Sequence, residues 1–414
     1  MQHQEAVDLA AGADHHVTGA EATRYLYAAV SPHRGSTYEE QLAEAVGRIV
    51  DTFASQGGKV VRQTVFLREP GRAADVARLL RAHYGAGAIP VTSYVNQPPC
   101  DARSLIAIEA AGVAGGGVSI EYRSPQLTVV RHDGIAWVHT DYSAAHDGGQ
   151  AADAYDTTLR ALRATGRLLQ SANARPDQVF RTWFYMGGIL ADEAGGAVGT
   201  QRYKELNRAR TDVFQDVDFL ADRVPGTLEH SVYPASTGIG MAGADVGLSA
   251  IALVTDRQDV LAVPLENPRQ IAAFDYGRHY SPQSPKFSRA MALIHDGQAT
   301  IHVSGTASIT ASETRHLGDV ARQAEETLLN ITALIGEENL AAHGFPGFGA
   351  QLWELGVVRA YIKRLQDYPA VRAICERELG AIPVIYTVGD VCRDDLLVEM
   401  EGVVHTRKPA ASAA

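Results

Sequence analysis

VVRQTVFL (residues 60–67) alternates like a half-buried strand and carries an arginine at its third position. The same pattern of Val, Arg and a later aromatic or apolar residue returns as VFRTWFYM (179–186) and GVVRAYI (356–362). Three copies of one strand set the reading of the whole chain, because their flanks repeat as well. Upstream of the first lies EEQLAEAVGRIVDTFA (39–54), with Leu42, Val46, Ile49 and Val50 at helical spacing. Upstream of the others lie YDTTLRALRATGRLLQSA (155–172) and HLGDVARQAEETLLNITALI (316–335). A second helix follows each strand: AADVARLLRAHY (73–84), RYKELNRARTDVF (202–214) and PAVRAICEREL (369–379). LIAIEAAGV (105–113) closes the first unit and DLLVEMEGVV (395–404) the third.

The fold class expected is α+β, with three units at 20–125, 126–270 and 271–406 and a frayed tail at 407–414. Two helices cover one face of a small sheet, and the other amphipathic face must be buried against the neighbouring units. The units then satisfy one another, so a monomer is expected, with an isologous dimer as the alternative. The Gly-rich stretches at 111–117 and 187–199 read as loops, the second long enough to cover a pocket.

The 414 residues are 46% hydrophobic and 21% charged, which excludes a disordered chain. A formal net charge of −11 argues against nucleic acid as partner and leaves a small molecule as the expected one. No run of about 18 apolar residues is present, so no membrane association is expected. Cys100, Cys375 and Cys392 form no metal or disulfide pattern, and the N-terminus has no apolar leader, which points to the cytoplasm. The 15 histidines show no metal-binding spacing.

Three units with a V-R strand and a C-terminal V-E strand resemble the Rid (reactive intermediate deaminase) fold. Its members are typically homotrimers with ligand pockets at the clefts between domains. The resemblance implies a trimer fused into one chain, with three non-equivalent clefts. From Gly134 to Val404 the sequence resembles the chorismatases more closely. The stretches are GIAWVHTD (134–141), RTWFYMGGI (181–189), RYKELNRAR (202–210), YPASTGIGM (233–241), LENP (265–268), PKFSRA (285–290), SGTASI (304–309), HLGD (316–319) and DVCRDDLLVEMEG (390–402), in the family's order. That resemblance implies release of pyruvate from chorismate without a metal or organic cofactor. No P-loop, strand-linked GxGxxG or HExxH is present.

Glu399 is the foremost candidate. Its place in LIAIEAAGV reads as apolar Ile108, so its carboxyl is expected to be desolvated and protonated, as a general acid requires. The family's catalytic glutamate aligns with it. The plainer alternative is a solvated strand glutamate, and Glu401 is read as structural or solvated. Cys392 matches the cysteine that marks family members forming 3-hydroxybenzoate, and a tuned thiol there could act as nucleophile or proton donor. Cys100 and Cys375 are read as packing.

A dicarboxylate substrate needs at least two cations. Arg210, with Tyr203 seven residues before it on one helical face, Lys363 and Arg289 are the candidates. Gly238 and Gly240 could admit a ligand close to the backbone, and Gly305, between Ser304 and Thr306, could offer an N–H donor. Several positions depart from the family pattern: Met241 for a small residue, Gln283 and Lys363 for arginines, and Ala311-Ser312 for Gly-His. They admit two other readings: a diverged biosynthetic enzyme for another acidic or polyketide-like small molecule, or a non-catalytic Rid-like metabolite-binding protein.

Overall fold

The computed structural model describes residues 15–19, 23–85, 87–143, 153–193, 200–226, 231–277 and 283–408. The tail from 409 on lies outside the described residues, as does 194–199 of the loop expected to cover a pocket. The architecture is mixed α+β, built on three large sheets.

The first sheet takes β1 (His15–Gly19), β2 (Arg24–Val30), β3 (Gly58–Leu67), β4 (Val91–Val95) and β5 (Ile106–Ala114) in the order β1-β2-β5-β3-β4. The second takes β6 (Ser119–Ser124), β7 (Leu127–His132), β8 (Ile135–Ser143), β9 (Val179–Gly187), β10 (Ala235–Met241) and β11 (Val246–Val254) in the order β10-β9-β11-β8-β7-β6. The third takes β12 (Leu261–Leu265), β13 (Ala290–His295), β14 (Gln298–Ala307), β17 (Leu355–Ile362), β18 (Val384–Val388) and β19 (Val398–Arg407) in the order β12-β13-β14-β19-β17-β18. A small hairpin, β15 (Ile309–Thr310) and β16 (Glu313–Thr314), stands apart.

In every sheet the arginine strand pairs in parallel with an edge strand and antiparallel with the strand on its other side. The expected boundaries at 125/126 and 270/271 therefore each fall late. β6 precedes the first and belongs to the second sheet, and β12 precedes the second and belongs to the third. Likewise β1 lies ahead of residue 20 yet pairs with β2.

Helices α1 (Tyr38–Ser55) and α2 (Ala73–Tyr84) cover the first sheet, α3 (Ala154–Ser171) and α4 (Arg202–Phe214) the second, and α5 (Val320–Ile335), the short α6 (Glu337–Ala342) and α7 (Tyr368–Leu379) the third. α1 starts where Thr37 and Glu40 form a reciprocal capping box. α5 starts four residues later than its apolar spacing suggests. His316 and Gly318 take left-handed φ values of 56° and 75°, and Asp319 caps the helix by accepting from Arg322 N.

The sheet faces turned away from the helices meet in one central core. Tyr27, Phe66, Trp137, Phe180, Trp183, Met291 and Tyr361 come together there from all three sheets. Among the described residues, no helix is long and apolar enough to cross a membrane.

Candidate active site

A cavity of about 260 Å³ opens between the second and third sheets. One wall is α4, whose residues Tyr203, Asn207 and Arg210 fall on one face at i, i+4 and i+7. The floor is the start of β10, with Ser236 and Gly238, facing Gly305 and Ala307 of β14. Arg289 and Phe287 stand just before β13, Tyr276 lies beyond them, and Cys392, Arg393 and Glu399 complete the enclosure. The seam is stitched by hydrogen bonds from Ser236 N to Ser304 Oγ (2.8 Å) and from Gly305 N to Thr237 Oγ1 (2.9 Å).

Glu399 is buried on β19, and among the described residues no hydrogen bond reaches its carboxyl. Burial, with the nearby charge of Glu401 adding to it, pushes this acid up to about 8, against the opposing pull of Arg289 and Arg181. Gly305 makes room for it. A Cβ on that residue would stand 2.1 Å from Glu399 Oε1, so any larger side chain would displace the carboxyl. Gly238 makes room for Tyr203 in the same way, since its Cβ would lie 3.2 Å from the ring.

Glu401 also points inward but lives in another environment. It accepts from Trp183 Nε1 (2.9 Å), Tyr361 OH (2.9 Å), Thr237 Oγ1 and the Arg181 guanidinium, and lies 3.2 Å from Arg359. Burial disfavours its charge, but Arg181 and Arg359 with these donors hold it below the ordinary carboxylate value. It is a buried structural anion, not the solvated one that the sequence left open.

Four cations line the cavity: Lys204 and three arginines, Arg210, Arg289 and Arg393. Arg210 is almost fully buried, donates to Asn207 Oδ1 (2.6 Å), and leaves its Nε without a partner. Arg289 donates to Tyr276 OH (2.6 Å) and Ile271 O (3.0 Å), and its Nε too is unpartnered. Arg393 donates to Ser312 O (2.8 Å) and lies over the Tyr276 ring. A cavity with several guanidinium groups and one uncharged acid suits a ligand bearing carboxylates beside a group that must receive a proton.

Cys392 lines this cavity, but the protein packed around it, together with the Glu399 charge, pushes the thiol up to about 12. It is therefore a thiol near neutral pH, not a ready nucleophile. Cys100 and Cys375 are buried in the third sheet's core.

Three expected residues lie elsewhere. Lys363 is not in the cavity wall; its Nζ is held by Asp394 through O (2.7 Å) and Oδ1 (2.8 Å). Met241 ends β10 and packs against the central core. Gly240 is a packing position: a Cβ there would meet Asp390 and Ile189 at 2.8 Å, and its carbonyl accepts from Gln97 Nε2 (2.6 Å). Gln283 is exposed outside the cavity. The Ile108 alignment also fails. β3 pairs Thr64 with Glu109, as β17 pairs Tyr361 with Glu399, each two residues past the strand's arginine. A one-residue slip exchanges the two faces of a strand, and bulges beside both arginine strands hide the register from the sequence. Arg393, Asn207 and Tyr276 were missed. The i+4 spacing of Asn207 from Tyr203 was the one signal that pointed to any of them.

These features describe a cleft suited to proton transfer onto an anionic ligand, on a mixed α+β fold, and the chain's relatives are enzymes named synthase and chorismatase. No protein-family model matches the chain. It is 38% identical over 231 residues to a 3-hydroxybenzoate synthase of Streptomyces hygroscopicus, covering 55% of this chain and 63% of that protein. It is 35% identical to a chorismatase of Streptomyces rapamycinicus, covering 66% of this chain and 78% of that one. A chorismatase crystal structure aligns over 94% of this chain and 99% of its own, with a TM-score of 0.66 and 21% identity, which speaks for the fold. The chain belongs to the chorismatase family.

Proposed function

We propose that this enzyme cleaves the enolpyruvyl ether of chorismate, releasing pyruvate and preferably 3-hydroxybenzoate. The observation that carries the reading is Glu399, an acid kept protonated by burial in a cleft lined by arginines. Arg210 and Arg289 anchor the two carboxylates, with Arg393 as a third cation and Tyr203 as a hydrogen-bond donor. Glu399 delivers its proton to the methylene carbon of the enol ether. The bond from the ether oxygen to the ring breaks as the neighbouring ring hydroxyl oxygen closes onto the vacated carbon and loses its proton, releasing pyruvate. The epoxide then opens at the carbon that first carried the hydroxyl, and loss of the proton from the carbon that keeps the oxygen gives 3-hydroxybenzoate. Chorismate contains the atoms of pyruvate and hydroxybenzoate together, so the overall reaction consumes no water. Cys392, as a protonated thiol at the cavity wall, shapes the fate of the ring. The relatives named chorismatase and 3-hydroxybenzoate synthase support this choice.

In the same reading, the three sheets are three Rid-like units fused as a pseudo-trimer, with boundaries near residues 115 and 257. The fused chain acts as a cytoplasmic monomer on its small-molecule substrate.

The test is incubation of the purified protein with chorismate, following pyruvate and identifying the ring product by mass and retention time. Pyruvate with 3-hydroxybenzoate is expected, and Glu399→Gln should lower kcat by about 10²–10⁴-fold. A folded protein that releases no pyruvate over hours would remove chorismate as the substrate.

A further inference from the structure

Glu399 and Glu401 are two residues apart on β19, both buried, and one arginine of the neighbouring sheet, Arg181, exerts an electrostatic pull on each. Only Glu401 bonds it. Thr237 ties the arrangement together. Its hydroxyl donates to Glu401, and its oxygen accepts from Arg181 (2.8 Å) and from Gly305 N (2.9 Å). Gly305 is the residue against which the Glu399 carboxyl rests. Glu401 thus fixes both the guanidinium that could neutralise Glu399 and the strand that backs it.

We propose that Glu401 is a positioning residue for Glu399: by holding Arg181 and Thr237 it keeps the neighbouring sheet's cation off Glu399, so that this carboxyl faces the cavity without an ion partner. The proposal rests on the reading of Glu399 as the acid. The other charged or titratable groups around Glu399 are Arg289 before β13, Cys392 in the preceding loop, Tyr203 on α4 and Tyr361 on β17, its register partner. None of these forms an ion pair with it among the described residues.

If Glu401 loses its charge, Arg181 is freed to act more strongly on Glu399, a carboxylate it already pulls on. Glu399 then ionises at lower pH and loses its proton near neutrality. Activity that needs the protonated acid falls as pH rises through its titration midpoint, so this alkaline limb must move to lower pH.

The experiment is titration of the Glu399 carboxyl by infrared difference spectroscopy, with Glu399→Gln as the subtraction that assigns the band. The wild type is expected to titrate near 8. In Glu401→Gln the midpoint should move toward the ordinary carboxylate range, and kcat at pH 7 should fall about tenfold or more with KM nearly unchanged. A folded Glu401→Gln protein with the wild-type midpoint overturns the proposal, since a residue that merely stabilises the fold would lower Tm and leave the titration in place.

Glu401→Gln leaves Arg181 buried and poorly matched and can fail to fold, so the double variant Arg181→Met with Glu401→Leu is the second arm. With both partners gone, burial alone acts and the midpoint should stay well above the ordinary range. A fall to that range would overturn the proposal by showing that the charge of Glu401 acts directly. The infrared readout does not depend on turnover. A shifted midpoint in a protein that leaves chorismate untouched would therefore uphold the positioning role while refuting the substrate.

Discussion

Glu399 and Glu109 occupy one register position in two sheets, each opposite the residue two places past the arginine of its arginine strand. Their fates differ because of what stands at the next inward-facing position. In the third sheet that position is Glu401, paired with Arg359 across the strands, and it reaches out to bind Arg181. In the first sheet it is Ala111, opposite Arg62. No second carboxylate competes there, and Glu109 itself takes Arg359 and Arg62. The second sheet has Ser249 opposite Trp183 at the corresponding place, hydrogen-bonded to Asp141 and Ser93. One strand position thus gives a buried ion pair, a hydroxyl that donates to a buried carboxylate, or an unpaired acid. An unpaired acid is the costly choice for folding and the useful one for proton transfer.

The largest effect tests this contrast by sign. Glu399 has a raised pKa in the folded chain, so the folded state binds its proton more tightly than the unfolded state does. Its contribution to stability is fully present below the ordinary value of 4.5 and is lost as pH rises to about 8. Glu399→Gln, with no proton to lose, should match the wild type at pH 4 and exceed it by about 2–4 kcal/mol at pH 8. Glu109→Gln removes one partner of a buried pair and should cost about 3 kcal/mol at neutral pH. Urea unfolding at pH 4, 7 and 8 reads both. Equal, destabilising effects from the two substitutions would break the comparison.

This asymmetry was only half legible in the sequence. The helices at 73–84 and 202–214 could be read from the repeat that puts a second helix after each arginine strand, and the structure places them at those residues. Glu399 stands out in the sequence because the family's catalytic glutamate aligns with it; the second ground, its alignment with Ile108, fails against the strand register. Its counterpart Glu109 was hidden because the register between strands depends on bulges next to Val61 and Gly356, which leave no residue signature. The start of β19 was placed three residues early, because the turn at Arg393–Leu396 precedes it. Arg393 went unnoticed for the same reason: between Cys392 and two aspartates it reads as a surface charge, and only the path of that turn brings it to the cavity. Lys363 was misplaced because β17 ends at Ile362, and beyond a strand's last residue alternation no longer says where a side chain goes.

The cations sharpen the comparison at the next scale. Arg210 and Lys363 are both expected anchors from the sequence, yet they differ in what already satisfies them. Arg210 lines the cavity with its Nε unpartnered, whereas Lys363 has both the main-chain and side-chain oxygens of Asp394. Losing a guanidinium that meets a substrate carboxylate should remove about 1.5–3 kcal/mol of binding. Arg210→Gln should therefore lower kcat/KM by roughly 10–100-fold, mostly through KM.

Lys363→Met should do almost nothing to either kinetic constant. Its ion pair is with an exposed carboxylate, so its loss should change stability by less than about 1 kcal/mol. The value of this variant lies in its failure mode. Lys363 N donates to Leu397 O (2.9 Å), which ties the end of β17 to the residue just before β19, and Asp394 belongs to the turn that delivers Arg393. If the lysine side chain serves to set that turn, Lys363→Met would raise KM in step with Arg393→Gln, and the double variant would be no worse than either single one. If Lys363 contacts substrate itself, the two losses would add. Unchanged KM in Lys363→Met leaves the cations that line the cavity, Lys204, Arg210, Arg289 and Arg393, as a sufficient set. It would also mean that replacing an arginine by lysine at 363 cost the site nothing, because that side chain points away from it.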